Sequence, residues 1–157
     1  MEVGKMIEIY TTPSCSSCRK AKKWLEEYNV PYVEKNLLVT KLTRENIKYI
    51  LEKTENGFED IVSTRSKAFK ENDLVIDDMT MNQLLDFILE HPSVLRRPII
   101  VDKYRLQVGY NDEEIRTFLP RKYRNLMTCS NCDDCNCSYI TALERALKDN
   151  FINDQLV

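Results

Sequence analysis

Six cysteines fall into two close groups, and both groups have residue types and spacing suited to thiol chemistry. Cys15 and Cys18 lie near the N-terminus, and the other four lie within nine residues of one another: Cys129, Cys132, Cys135 and Cys137. Stable structural disulfides are uncommon in a reducing compartment, so close spacing points to redox exchange or metal binding. A structural disulfide framework would instead scatter its cysteines along the chain.

The first pair lies where a helix is predicted to begin. Cys15-Ser16-Ser17-Cys18 follows a predicted strand and a break at Pro13-Ser14. The free N–H groups and positive dipole end of a helix N-terminus favour a thiolate. We expect Cys15 to be the more exposed, attacking thiol and Cys18 the buried, resolving thiol. The alternatives are two unreactive cysteines, or half of a zinc site completed by distant ligands. Four basic residues follow and add positive potential: Arg19, Lys20, Lys22 and Lys23.

The second group offers four thiolates, which make a complete tetrahedral set for Zn²⁺. Metal binding would order a segment that is too polar and too short to form a core. The spacing is tighter than in zinc fingers, and it differs from the cysteine runs of ferredoxins. The alternatives are cysteines that oxidise among themselves, a regulatory thiol, or no role. We expect Zn²⁺ at this group and no cofactor in the rest of the chain.

The elements that must position Cys15 form a β-α-β unit, which requires a mostly buried parallel pair of strands. A helix capped by Thr43, a polar irregular stretch, a second helix, a β-hairpin and a helix begun by Asn111 follow. We expect a thioredoxin-like α/β domain over 1–127 with a helical insertion at about 39–96, then a Cys-rich extension over 128–157 with an amphipathic helix. The predicted bounds are strands at 6–11, 32–38, 99–101 and 105–110, helices at 15–28, 43–51, 81–88, 111–119 and 139–151, and the irregular stretch at 58–77.

Pro98 fits the cis-proline that thioredoxin-like domains place opposite the helix-borne thiol. It lies directly before a predicted strand of the hairpin. Arg97 beside it would then reach the Cys15 thiolate or an oxyanion. The alternative for Arg97 is an ordinary surface arginine near a turn.

Composition limits the classes of function. Hydrophobic residues make up 43% and charged residues 31% of the 157 residues, which is typical of a globular protein. No apolar run approaches the roughly 20 residues of a membrane span, and residues 1–6 do not resemble a secretory signal, so we expect a cytoplasmic protein with no membrane contact. A net charge of −2 argues against general affinity for nucleic acid. DNA contact would need a local basic patch or a protein partner.

Three segments, in order, resemble the Spx family of oxidative-stress transcription regulators. They are YTTPSCSSCRKAKKWLEE, TENGFEDIVSTRSK and HPSVLRRPIIVDKYRLQVGYNDEEIRTFLPRK, and the similarity runs from about Ile7 to Arg124. The wider family includes arsenate reductases that share the fold, the first cysteine and the RRPII-like segment. Three segments that match in order are far more specific than a lone pair of cysteines with two residues between them.

The resemblance implies a regulator and not an enzyme. Proteins of this family bind the C-terminal domain of the RNA polymerase α subunit and redirect transcription toward thiol-homeostasis genes. By resemblance, Cys15 and Cys18 form the disulfide switch and Arg97 responds to it. Gly57 would lie in the polymerase-binding surface, and we also expect it to cap the C-terminus of the preceding helix.

The segment from Ser63 to Lys67 is a further family feature. We assign its basic residues Arg65 and Lys67 to contact with the promoter complex, so that promoter DNA is reached only together with polymerase. The chain departs from the family after Arg124, which leaves control by a proteolytic adaptor and protease in question. We expect a monomer.

Two other functions remain open. One is an arsenate-reductase-like or thiol-disulfide oxidoreductase that uses Cys15 as nucleophile. The other is a metal-sensing variant whose input is the C-terminal cysteine group. Against the enzyme stand the second cysteine, Gly57 and the three matching segments.

Overall fold

A four-stranded mixed sheet carries the fold of the described residues, 6–119, in the computed structural model. The strand order is β2-β1-β3-β4. β1 runs parallel to β2 and antiparallel to β3, and β3 and β4 form an antiparallel hairpin. The strands are β1 (Ile7–Thr11), β2 (Tyr32–Asn36), β3 (Ile99–Val101) and β4 (Leu106–Val108).

Helix α1 (Ser16–Glu27) is the crossover that the parallel pair β1 and β2 requires. Its buried residues recur at steps of three and four, which gives one apolar face: Cys18, Ala21, Trp24 and Leu25. The predicted strand, helix and strand over 6–38 are therefore confirmed, although β2 ends at Asn36 and not at Leu38.

Four further helices lie in the insertion or close it: α2 (Arg44–Leu51), α3 (Phe58–Ile61), α4 (Lys67–Glu71) and α5 (Met81–Glu90). Thr43 caps α2 as predicted, in a reciprocal capping box with Asn46. The prediction of an irregular stretch at 58–77 is wrong over α3 and α4. Helices of four and five residues are too short to show a helical period, so the sequence pattern does not reveal them.

The segment after β4 also differs from its prediction. Asn111 does not begin the helix, whose N-cap is Glu113, but its side-chain oxygen accepts hydrogen bonds from the amides of Glu113 and Glu114 at 2.8 and 3.2 Å in the preceding turn. The helix is a 3-10 helix over Glu114–Phe118. The few residues before Pro120 leave little room to propagate an α-helix.

The sheet is covered on both faces, because alternate residues of a strand point to opposite sides. Ile9 and Ile100 pack with Trp24 on the side of α1. Tyr10 and Ile99 belong to the second cluster, which the insertion helices supply. Within 6–119 no helix has the length and apolar character needed to cross a membrane. The domain boundary at 127, the C-terminal helix and the four C-terminal cysteines lie outside the described residues.

Candidate redox site

Cys15 and Cys18 lie at the start of α1, with unequal access to solvent. Cys15 is the N-cap residue, and its sulfur accepts a hydrogen bond from the Cys18 amide at 3.2 Å. It thereby takes the place of the oxygen that usually caps a helix. Cys15 is partly exposed, whereas Cys18 is only 1% exposed, and both are free thiols. The geometry thus gives one accessible and one buried thiol, in the order expected.

Burial also separates the two thiols chemically. It raises the pKa of the Cys18 thiol to about 12, and the hydrogen bond shared with Cys15 adds to this shift. The backbone N–H of Thr12 and the charge of Arg97 act in the opposite direction. Cys18 is therefore a protonated thiol at neutral pH. The sulfur that can attack an external oxidant is that of Cys15.

The Arg97–Pro98 peptide bond is cis, the geometry that the sequence predicts. Because β3 is antiparallel to β1, its start lies beside the end of β1, where Cys15 follows. Arg97 donates a hydrogen bond from Nη1 to the Thr12 hydroxyl at 3.3 Å. Thr12 is buried and was not singled out from the sequence, since nothing in its local pattern marks it. The fold thus assembles Cys15, Cys18, Arg97 and Pro98 at one end of the sheet.

The insertion is joined to this end of the sheet by a short antiparallel bridge between Val62 and Leu95. Sequence reasoning missed the bridge and Arg96, whose backbone and side chain both take part in it. The hydrogen bonds are Arg96 N to Ile61 O at 2.7 Å, Ser63 N to Val94 O at 2.8 Å, and Arg96 Nε to Val62 O at 3.2 Å. The segment after α3 therefore has a fixed position beside the thiols.

An open pocket of about 400 Å³ lies at the Cys15 sulfur. Its lining includes two arginines and four hydroxyl-bearing residues, and no carboxylate-bearing residue. They are Arg96 and Arg97, with Thr12, Ser14, Ser16 and Ser63. The pocket is therefore positive and rich in hydrogen-bond donors.

Gly57 does not have the capping role expected for it. Helix α2 ends at Leu51 with Glu52 as its cap, and Gly57 instead precedes α3 as its N-cap. The backbone at Gly57 has φ 66° and ψ −128°, a conformation that side chains other than hydrogen disfavour. A Cβ atom there would meet nothing within 4 Å. Backbone conformation, and not crowding within the fold, therefore calls for glycine.

Asp60 holds the turn that contains Gly57, and sequence reasoning missed it. Its Oδ2 accepts hydrogen bonds from the amides of Glu55 and Asn56 at 3.0 and 2.9 Å, and Oδ1 accepts one from Asn56 Nδ2 at 3.1 Å. The Asn56 hydrogen bonds are the main cause of a lowered pKa at Asp60, and the charge of Arg96 adds a smaller effect. An aspartate three residues after an Asn-Gly pair is the signal that could have identified it.

The remaining candidate residues, Arg65 and Lys67, do not line the pocket at Cys15. Arg65 and Lys67 are exposed beyond Ser63, and Lys67 pairs with Glu71 at 3.6 Å. The structure gives no test of their contact with a promoter complex. Among residues 6–119 no three His, Cys, Asp or Glu side chains are grouped so as to hold a metal ion. The four cysteines predicted to bind Zn²⁺ are outside that range, so their role stays a prediction.

Comparison with known proteins places this site in a family. The sequence profile of the ArsC family matches residues 10–118. The chain belongs to the ArsC family. A protein named global transcriptional regulator Spx 1, from Lactococcus lactis, is 52% identical over 128 residues, which cover 82% of this chain and 100% of the relative. The Bacillus subtilis protein named global transcriptional regulator Spx is 52% identical over 120 residues, covering 76% and 92%. The resemblance to Spx proteins is therefore confirmed.

Solved structures support the same fold for this ArsC-family chain. A protein titled arsenate reductase from Vibrio cholerae has a TM-score of 0.64 at 24% identity, covering 74% of this chain and 99% of the other. A putative ArsC family related protein from Bacteroides fragilis gives 0.64 at 25% identity, covering 72% and 97%. The predicted α/β fold, thioredoxin-like with a helical insertion, is confirmed.

Proposed function

We propose that the chain is a redox-switched transcriptional regulator that binds the C-terminal domain of the RNA polymerase α subunit. The observation that carries this proposal is the 52% identity to a protein named global transcriptional regulator Spx 1, over that relative's whole length. The Cys15–Cys18 pair supports a switch, because one thiol is accessible and its neighbour in the same turn is not.

The switch is closure of a Cys15–Cys18 disulfide. The two thiols lose two protons and give two electrons to an oxidant, and one S–S bond forms. Two residues between the cysteines, at a helix start, allow such a ring to close with tolerable geometry. Arg97 is the group placed to respond, since its charge acts on Cys18 and its guanidinium is bonded to Thr12.

The turn at Gly57 is the proposed contact surface. It has open space where a side chain would project, so a partner backbone can approach closely. Arg65 and Lys67, which are exposed on the following segment, are the proposed contacts to promoter DNA in the polymerase complex. A net charge of −2 suits a protein that reaches DNA only alongside a partner.

Binding to the purified α-subunit domain tests the proposal, with titration calorimetry as the readout. Gly57→Arg should abolish binding by placing bulk in the contact surface. Gly109→Arg is the matched control, because Gly109 also has a positive φ and no neighbour within 4 Å of an added Cβ. Both variants place an arginine side chain at a positive φ, and Gly109→Arg should still bind. Binding that survives Gly57→Arg would remove this interface, and no binding by the unaltered chain would overturn the proposal.

The second candidate is an arsenate-reductase-like enzyme, favoured by the positive pocket at Cys15. Arginine pairs suit oxyanions, and an accessible thiol can serve as nucleophile. Arsenate turnover with a thiol reductant is the test, and we expect none. A cytoplasmic location, a monomeric state and control by a proteolytic adaptor and protease stay predictions from the sequence.

A further inference from the structure

The positive pocket at Cys15 has unused binding capacity. Arg96 and Arg97 form no ion pair with a carboxylate among residues 6–119. Asp60 is close enough to respond to the Arg96 charge, but both of its oxygens accept hydrogen bonds within the Gly57 turn. Both arginines therefore line the pocket with a charge that no ion pair in this range compensates.

The pocket gives a reagent access to the Cys15 thiol. Cys18 is 1% exposed, so a reagent must meet the Cys15 sulfur first. The pocket volume of about 400 Å³ is large enough for a small organic molecule. Guanidinium groups and serine hydroxyls donate hydrogen bonds, and an ionised carboxylate is an acceptor whose geometry matches the arginine fork.

We propose that this pocket binds low-molecular-weight disulfides with carboxylate arms, and that such a disulfide is the oxidant of Cys15. This inference rests on the proposed redox switch and names the chemical class of its input. A purely neutral oxidant would make no use of Arg96 and Arg97. A cationic disulfide would be repelled by both of them.

The reaction is two thiol-disulfide exchanges. In the first, Cys15 loses its proton and its thiolate attacks one sulfur of the small disulfide, whose S–S bond breaks as the Cys15–sulfur bond forms, and one small thiolate leaves and takes up a proton. In the second, Cys18 loses its proton and attacks the Cys15 sulfur, and the second small thiolate leaves and takes up a proton. The two protein thiols are oxidised to a disulfide, and the small disulfide is reduced to two thiols.

The second exchange uses groups that already act on the Cys18 thiol. Its thiolate is disfavoured by burial, but the Thr12 N–H and the Arg97 charge stabilise it. Arg97 therefore attracts the oxidant in the first exchange and assists the resolving thiolate in the second. The state of the switch then follows the ratio of small disulfide to small thiol.

Three disulfides with one carbon skeleton and different terminal groups test this inference: 3,3′-dithiodipropionate, bis(2-hydroxyethyl) disulfide and cystamine. The readout is the rate of disulfide attachment at Cys15 in the full chain carrying Cys18→Ser, followed by peptide mass spectrometry. That readout separates Cys15 from the C-terminal cysteines. Each rate is divided by the rate of the same reagent with a free thiol, since the leaving groups differ in acidity.

We expect the normalised rate of dithiodipropionate to exceed that of the neutral reagent about tenfold, and cystamine to be slowest. Added salt should shrink the difference, because the attraction is electrostatic. Arg96→Met and Arg97→Met should each reduce the preference for dithiodipropionate over the neutral reagent. Lys103→Met is the matched control and should leave it unchanged, because Lys103 follows β3 at the opposite end of the sheet.

Equal normalised rates for the three reagents, or cystamine as the fastest, would overturn the inference. A preference for dithiodipropionate that survives both arginine substitutions would overturn the assignment to this pocket. The salt series on the unaltered arginines gives an answer even if a substituted chain fails to fold. Binding to the α-subunit domain is measured separately, so failure of this inference is distinct from failure of the proposed function.

Discussion

The guanidinium of Arg97 donates a hydrogen bond to the hydroxyl of Thr12, 85 residues earlier in the chain, at 3.3 Å. Thr12 also acts on both cysteines through its backbone. Its carbonyl accepts a hydrogen bond from the Cys15 amide at 3.2 Å, and its backbone lowers the pKa of the Cys18 thiol, against the larger effect of burial. One buried residue therefore connects the proline segment with the accessible thiol and the buried thiol.

Substitution of Thr12 by valine should loosen this connection. The change keeps the branched shape of the side chain and removes the hydroxyl that accepts the Arg97 hydrogen bond. We therefore expect a loss of about 1 kcal/mol in the free energy of unfolding. Closure of the Cys15–Cys18 disulfide should also change in rate, because Arg97 is no longer held beside Cys18. Denaturant titration of the reduced chain and timed thiol trapping measure the two effects. Thr12→Ser keeps the hydroxyl and should retain the parent's stability and rate of disulfide closure. A valine variant that matches the parent in stability and in rate would contradict this role of Thr12.

Cys18 should make stability depend on pH in the alkaline range. Its pKa rises from 9.0 to about 12 on folding, so the unfolded chain releases the proton first as pH increases. The stabilising contribution is therefore complete below pH 9 and is lost as the pH rises toward 12. Unfolding of the reduced chain at several pH values, against Cys18→Ala, measures it. Above pH 9 the free energy of unfolding of the parent should fall steadily relative to that of Cys18→Ala. A constant difference would contradict the prediction.

Replacement of Asp60 by alanine should weaken partner binding without removing any residue from the Gly57 surface. The turn would lose three hydrogen bonds to one carboxylate, and we expect binding to the α-subunit domain to weaken by about 1–2 kcal/mol. Calorimetry gives the affinity, and amide chemical shifts of residues 55–57 report the turn itself. Glu59→Ala is the control, since Glu59 is an exposed neighbouring acid outside this hydrogen-bond set. Equal affinities for both variants would contradict the role of Asp60.

The C-terminal cysteines should bind about one Zn²⁺ per chain under reducing conditions, since four thiolates complete a tetrahedral site. Metal analysis of the full chain and of a chain ending at Met127 measures this content. We expect the truncated chain to lose the metal. Replacing Cys132 and Cys135 by serine gives a full-length comparison with the same expectation. Metal content that both changes leave intact would exclude the site.

Local patterns predicted the elements that hold the thiols. The strand, helix and strand over 6–38 follow from the spacing of their apolar residues and from the break at Pro13. The start of α2 follows from Thr43, because threonine is a favoured N-cap residue. The long-range contacts could not be read in this way. Arg96 meets the Val62 carbonyl across 34 residues, and Arg97 meets Thr12 across 85. Such pairs depend on how the insertion folds back on the sheet, which no local pattern records.

The positive φ at Gly57 has a consequence for the evolution of this surface. Selection for folding already favours glycine there, because the turn demands it whether or not a partner binds. A descendant that gave up its partner would still be expected to keep the glycine. Divergence of function should therefore be recorded first in a neighbouring side chain such as Phe58. Comparison of that position between regulators and enzymes of the family is expected to be a more sensitive guide to the proposed contact than the glycine itself.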